Sequence, residues 1–337
     1  MLQKIGFVPG FNKQVTSTGA ENRWTGGENV RFRYGTPEKI GGWNQLGASK
    51  LTGVTRGLHH FVNKASIKYA AIGTNRILYV YSNNFYYDIH PIKTDFGALT
   101  DKLACTSGSP ILTITLSSTT GMTAGDILFL ENVTPPTGSG YSAVDFDDKT
   151  FMITSVVNST SVTITMGSNA SASATDGDLS VKYYYPVGPV DQVAGYGWGT
   201  SSWGGSTGWG SETSTSDTVI DPGQWSLDNL GQTLIALIVN GECFEWDSNA
   251  TNPTNNRATI ISGAPTASRD MVVSTPDRHL VFFGTETTIG DKTTQDDMFI
   301  RFSSQENIND YTPTAINSAG SQRLADGSRI IGAKLGR

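Results

Sequence analysis

The sequence is short of charge and nearly free of cysteine. Only 16% of its 337 residues are Asp, Glu, Lys or Arg, against roughly 25% in an average soluble domain. So little Ala, Leu, Glu and Lys relative to Gly, Ser, Thr and Asn excludes a fold carried by solvated helices. Cys105 and Cys243 are the two cysteines. Neither belongs to a Cys-x-x-Cys pair, which removes dithiol redox and zinc-ribbon chemistry and leaves two free thiols in β-like stretches. No run approaches the roughly 18 apolar residues of a membrane-crossing helix. The opening MLQKIGFVPGFNKQ lacks the apolar core of a secretory leader, so synthesis in a cytoplasm without general export is expected. A basic footprint is missing too. The formal charge is −6, and the densest basic group, Arg23, Arg31, Arg33 and Lys39, is interleaved with Glu21, Glu28 and Glu38. A reader of nucleic-acid phosphates needs the opposite.

What is abundant is the material of short strands and tight turns. Aromatic and β-branched residues are too frequent for a disordered chain. Residues 1–50 read as a Gly-rich N-terminal arm in which Val30, Phe32 and Tyr34 alternate with Arg31 and Arg33, the two-residue period of a strand. Residues 51–98 hold four β runs, at 55–62, 67–73, 76–81 and 85–91, joined by links of hairpin length. Four antiparallel strands in about 40 residues make one propeller blade. Charge thins over 99–185, where five Ser/Thr-rich strands (111–117, 126–132, 150–157, 161–166 and 179–185) predict a small inserted barrel or sandwich. Residues 186–218 form a Gly/Trp-rich connecting loop in which Trp198, Trp203 and Trp209 are each followed by Gly. Tryptophan is not what a plain flexible linker needs. The blade pattern resumes over 219–337, with Asn240-Gly241 as a two-residue hairpin signal. The stretch Gly327–Gly332 reads as the first strand of a further blade. The fold class is therefore all-β: propeller-like blades with an inserted small β-domain, the propeller incomplete within this chain.

The search for chemistry is negative on every motif. No His-Glu-x-x-His, calcium loop or Cys/His cluster occurs. His59 and His60 are adjacent on a strand, so their rings point to opposite faces and cannot chelate together. His90 and His279 have no partner at ligand spacing. The glycines of 195–210 lack the terminal Gly-Lys-Ser/Thr of a phosphate loop. Asp147-Asp148 and Asp296-Asp297 are neighbouring acids that diverge, unlike the facing pair of a glycosidase. Ser226-Leu227-Asp228-Asn229-Leu230-Gly231-Gln232-Thr233 comes near the Asp-box turn of sialidase-like blades, with one residue too many between aspartate and glycine. No catalytic residue, cofactor or metal ligand is assigned.

Motifs in order carry more than any single site. They begin with Pro9-Gly10-Phe11-Asn12-Lys13-Gln14, Trp24, Glu28-Asn29-Val30-Arg31-Phe32 and Gly35-Thr36-Pro37-Glu38-Lys39-Ile40-Gly41-Gly42-Trp43. The Gly-Trp-Gly repeats of 197–210 follow, then Trp225 to Gly231 and Phe244-Glu245-Trp246-Asp247. Asp277-Arg278-His279-Leu280-Val281, Ile300-Arg301-Phe302-Ser303 and Ala319 to Leu324 complete the series. Together they resemble the tail nozzle or hub family of short-tailed bacteriophages, also called tail tubular protein B or stabilisation protein. The resemblance implies a non-enzymatic virion subunit with a β-propeller, assembled as a hexameric ring below the portal and adaptor. Such a ring forms the distal channel through which genomic DNA passes without specific binding, with tail fibres or spikes docked near it. It places the protein in the virion, assembled in the host cytoplasm and acting in host-cell entry. Trp24, Arg31, Phe32, Trp43, Trp198, Trp203 and Trp209 are the expected interface residues. Two rivals are a glycan-binding or glycan-cleaving propeller tail protein and a bacterial surface propeller.

Overall fold

The computed structural model describes residues 6–42, 44, 50–191 and 221–334. Trp43, Trp198, Trp203 and Trp209, with most of the 186–218 segment, lie outside the described residues. The protein is all-β. Its described secondary structure is strand apart from three single-turn 3-10 segments, and no helix among the described residues is long and apolar enough to cross a membrane.

The chain divides into two compact units, Met1–Ala48 and Ser49–Arg337. The first holds β1 (Val8–Phe11) paired parallel to β2 (Arg23–Trp24), and a hairpin of β3 (Val30–Arg33) and β4 (Thr36–Lys39). Its turn takes positive φ at both Tyr34 and Gly35, the mirror-image turn whose twist matches a right-twisted ribbon.

The second unit opens with a four-stranded meander, blade 1: β5 (Thr55–Val62), β6 (Lys68–Thr74), β7 (Leu78–Ser82) and β8 (Phe85–Asp88). A closed six-stranded barrel follows, not a sandwich. It consists of β9 (Ile92–Cys105), β10 (Ile111–Thr115), β11 (Ile127–Thr134), β12 (Lys149–Asn158), β13 (Ser161–Thr165) and β14 (Ala174–Tyr184), in the order β10-β13-β12-β11-β14-β9. Inward residues of alternating strands, among them Leu112, Ile114, Leu128, Leu130, Val162 and Ile164, fill it together with Phe146. Closure removes the sheet edges that an open six-stranded sheet would expose. Blade 2 is β15 (Trp225–Leu230), β16 (Thr233–Ile238), β17 (Cys243–Asp247) and β18 (Thr259–Ile260). Blade 3 is β19 (Asp270–Ser274), β20 (His279–Phe283), β21 (Phe299–Phe302) and β22 (Gly320–Arg323).

Three sequence expectations need correction. The barrel has a sixth strand, β9, that starts at Ile92, inside the stretch assigned to the first blade. IKTDFGALTDKLAC is long, charged and largely exposed, so it reads as a connection. Blade 3 takes its outer strand from Gly320–Arg323, where no strand was expected, because an exposed outer strand carries no apolar alternation. Residues 327–332, expected to begin another blade, form no strand.

The blades stack face to face. β15 lies between β5 and β19. One face of blade 2 gives Leu234, Ala236, Ile238, Phe244 and Trp246 to a core shared with Phe61, Tyr69, Ala71 and Val80 of blade 1. The other gives Ile235, Leu237 and Cys243 to a core shared with Met271, Val273, Leu280 and Phe282 of blade 3. This explains why Thr-Leu-Ile-Ala-Leu-Ile in β16 does not alternate, since a strand buried on both faces reads as a continuous apolar run. Trp225 sets the distance between blades 1 and 2. Gly57 and Gly73 stand opposite each other on β5 and β6. The notch they leave takes the Trp225 side chain, and a Cβ on Gly73 would overlap the indole. The indole Nε1 donates to the Thr74 carbonyl at 2.8 Å. Gly73→Ala should therefore destabilise the protein by about 1–3 kcal/mol, the usual cost of overpacking a filled site. Urea denaturation followed by circular dichroism checks this.

Candidate assembly interface

Trp24 and Phe32 come together in the first unit. Phe7 and Trp24 lie 5.3 Å apart, Trp24 and Phe32 6.4 Å, and Phe32 meets Phe11 edge-on at 5.2 Å. Arg31 is on the opposite side of β3 and pairs with Glu38 across the hairpin at 3.1 Å, an exposed pair of little energetic weight. The aromatic cluster has almost nothing buried beneath it. Ala20 is the one buried apolar residue of the described arm, while Phe7, Phe11 and Tyr34 are exposed. A unit this small buries little apolar surface of its own.

The ends of the Gly/Trp segment are gripped. Gly223 donates to the Pro189 carbonyl at 2.8 Å, and its Cα lies so close to Val187 that a Cβ there would sit 2.8 Å from the Val187 carbonyl oxygen. Arg56 on β5 donates to the carbonyls of Gly223 and Val190. Asp221 is held by Arg269 and Arg329, and Arg269 reaches Asp297 at 2.8 Å. Residues 187–190 and 221–224 thus form one neck, so the segment leaves and returns at a single point beside β5 and blade 3.

A second junction joins the barrel to the blades. His90, fully buried, follows β8 and precedes the barrel. Its Nδ1 accepts the Leu78 amide at 3.1 Å, so its Nε2 carries the proton donated to the Tyr185 carbonyl at 2.9 Å. The ring stacks on Tyr184 at 4.9 Å and meets Trp225 edge-on at 5.6 Å. Alongside, Arg257 pairs with Asp88 at 3.2 Å and lies over the rings of Tyr184 and Phe129. Both imidazole nitrogens are used in the neutral form. Burial drives the pKa of His90 down to about 4, although Asp88 and the Tyr185 carbonyl pull the other way.

The groups tested for chemistry have structural work. His59 turns toward blade 2 and bonds Asn229 at 2.8 Å, whereas His60 is exposed on the opposite face. Cys105 and Cys243 are buried free thiols, and burial pushes Cys243 well up. Among the described residues no group of three or more His, Cys, Asp or Glu is placed to hold a metal. Asp147 accepts the Val133 amide. Asp296 accepts the Met298 amide and pairs with Arg323, which together hold it below the usual carboxylate range. Residues 226–230, near in sequence to an Asp-box turn, are strand instead. Asp228 accepts the Val273 amide at 2.9 Å, and Ser226 bonds Asp270 and Met271. These bonds tie β15 to β19. Sequence reasoning missed Arg56, Arg257 and His90 as junction residues, because their partners lie up to 167 positions away.

The class of protein defined by this arrangement is an all-β stack of propeller-type blades carrying an inserted six-stranded barrel. No family model and no curated protein matches the chain. Among solved structures it is similar to the phage phi92 endosialidase, at 13% identity and a TM-score of 0.28, over 88% of this chain and 41% of that one. The chain thus spans well under half of that protein's length, and a TM-score so low carries no argument about this chain.

Two expectations follow from the junctions. Between about pH 6.5 and 4 the unfolded chain binds a proton at His90 that the folded chain refuses, so stability falls as pH falls through that window and is unaffected by His90 above it. The loss attributable to this group is about 3 kcal/mol in total, and denaturation at pH 4.5 and 7.5 should show a smaller difference for His90→Gln than for the wild type. Arg56→Ala should raise hydrogen exchange at the Gly223 amide by about tenfold or more, by opening the neck; unchanged protection would show that the glycine contact alone holds it.

Proposed function

We propose that this chain is a structural subunit of a short-tailed phage tail, building the nozzle through which DNA leaves the particle. The observation that carries the reading is the blade stack itself. Rigid four-stranded sheets are locked face to face, and those motifs of the resemblance that run from Trp225 to Leu324 fall on its framework. Trp225 fills the glycine notch, Phe244 and Trp246 are in the core between blades 1 and 2, and Arg301 is buried in blade 3 with its guanidinium on the carbonyls of Glu286 and Thr287.

The mechanism is geometric and electrostatic. Packed blades give stiff walls and a symmetric ring of six gives a closed bore. A chain with net charge −6 repels the DNA phosphates, so the genome slides without adhering. No catalytic centre is required. The aromatic arm, with Trp24 and Phe32, braces the subunit or reaches a neighbour. The barrel faces an adjacent subunit, the adaptor or a fibre. The protein is made in the host cytoplasm and incorporated into the virion, where it serves host-cell entry.

Antibody labelling of virions tests the reading, combined with imaging of the labelled particles. The expected result is label at the tail tip around a six-fold ring. Label on the capsid, or release of reducing ends from host polysaccharide by the purified chain, would displace the nozzle reading in favour of another role.

A further inference from the structure

Arg76 is a half-buried cation without an acceptor. It lies in the turn between β6 and β7. Among the described residues its guanidinium makes no hydrogen bond and no ion pair. Every other described arginine of the second unit donates to a carboxylate or to a backbone carbonyl. Burial lowers the pKa of Arg76, with Asp126 opposing the shift and Arg56 adding to it. A guanidinium does not give up its proton in a protein, so partial burial without a partner costs free energy.

The surroundings add positive charge rather than cancel it. Arg76 borders the barrel turn 121–125, which leads into β11. A Cβ on Gly125 would lie 2.7 Å from a guanidinium nitrogen of Arg76, and one on Gly121 would lie 3.8 Å from the Lys93 ammonium. Lys93, the second residue of β9, has no carboxylate partner among the described residues. Arg56 spends its hydrogen bonds on the carbonyls of Gly223 and Val190, which satisfy donors and leave the charge uncancelled. Asp126 is the one carboxylate acting on Arg76. It is not in ion-pair contact with the guanidinium, and its Oδ2 accepts the Thr123 amide at 2.8 Å and the Tyr183 hydroxyl at 2.9 Å. Three cations therefore stand against one carboxylate that is already bonded, in a chain whose formal charge is −6.

We propose that Arg76, with Lys93 and Arg56 beside it, binds a phosphate oxyanion at the barrel turn 121–125, either the free ion or a phosphodiester of a nucleic-acid backbone. A guanidinium fork matches two phosphate oxygens, and an ammonium adds a point charge. The anion supplies the acceptor that Arg76 lacks within the chain. The site does not rest on the tail reading; it is a property of the purified chain.

Thermal denaturation of the full chain at neutral pH tests this, with potassium phosphate against potassium chloride of equal ionic strength. Phosphate at about 20 mM should raise the wild-type midpoint by about 2–4 °C, as a site of roughly millimolar affinity would. Arg76→Gln should lose that increment, Lys93→Gln should lose part of it, and Arg76→Lys should keep part. In phosphate-free buffer Arg76→Gln should be no less stable than the wild type, because it removes a charge that the chain leaves uncompensated. A labelled single-stranded oligonucleotide, followed by fluorescence anisotropy, separates the two sources. Binding that Arg76→Gln weakens by about tenfold or more assigns the phosphate to a nucleic-acid backbone; a phosphate shift without such binding assigns it to the free ion. An equal shift in wild type and Arg76→Gln is the general effect of an excluded salt and would overturn the proposal. So would the absence of both the shift and oligonucleotide binding. An Arg76→Gln variant much less stable than the wild type in phosphate-free buffer would overturn it too, by showing that Asp126 already compensates the cation.

Discussion

The blade stack depends on one steric match, the indole of Trp225 in the notch left by Gly57 and Gly73. Two facing glycines weaken a sheet, because they add backbone entropy to the unfolded chain and pack nothing of their own. The loss is offset across the interface. A tryptophan is the largest apolar side chain available, and here it is buried with its one polar atom bonded to the Thr74 carbonyl. Removing such a side chain from a packed core typically costs about 3–5 kcal/mol. The same ring touches His90 edge-on and lies near Phe244, so the blade contact and the barrel junction share a single anchor.

From that anchor the stack is built by repetition. Blade 2 is sandwiched, and its apolar faces provide the hydrophobic burial that holds the other two. Polar bonds then fix the register. Ser226 and Asp228 on β15 reach the backbone of β19, and His59 on β5 reaches Asn229. Hydrophobic burial is non-directional; these bonds select one sliding position among many that would bury similar area.

Two junctions interrupt this framework. The barrel departs at Ile92 and returns at Tyr184, which are cross-strand neighbours. The described ends of the Gly/Trp segment, at 187–190 and 221–224, meet in the neck held by Arg56. An insertion is tolerated when its ends are close together, because the surrounding sheets then keep their geometry. The burial of His90 makes the first of these junctions sensitive to acid. The second is set by the close approach of Gly223 to Val187 and by the ion pairs of Asp221, which salt screens only weakly where the side chains are partly buried.

Local sequence determined the strands that alternate or run continuously apolar, the hairpin at Asn240-Gly241, and the all-β class. Those signals act over a few residues, through side-chain period and turn conformation. Strands β9 and β22 were not legible, because polar, exposed strands are held by hydrogen bonds to a neighbour rather than by their own pattern. Trp24 and Phe32 were legible as large aromatics of the N-terminal arm, but their contact with each other was not. Only the tertiary structure decided that Gly57 and Gly73 form a notch, that Asp228 is a strap between blades rather than a turn, and that His90, Arg56 and Arg257 hold the junctions. Each of these depends on partners brought together from far along the chain, and no local period records which distant residue will arrive.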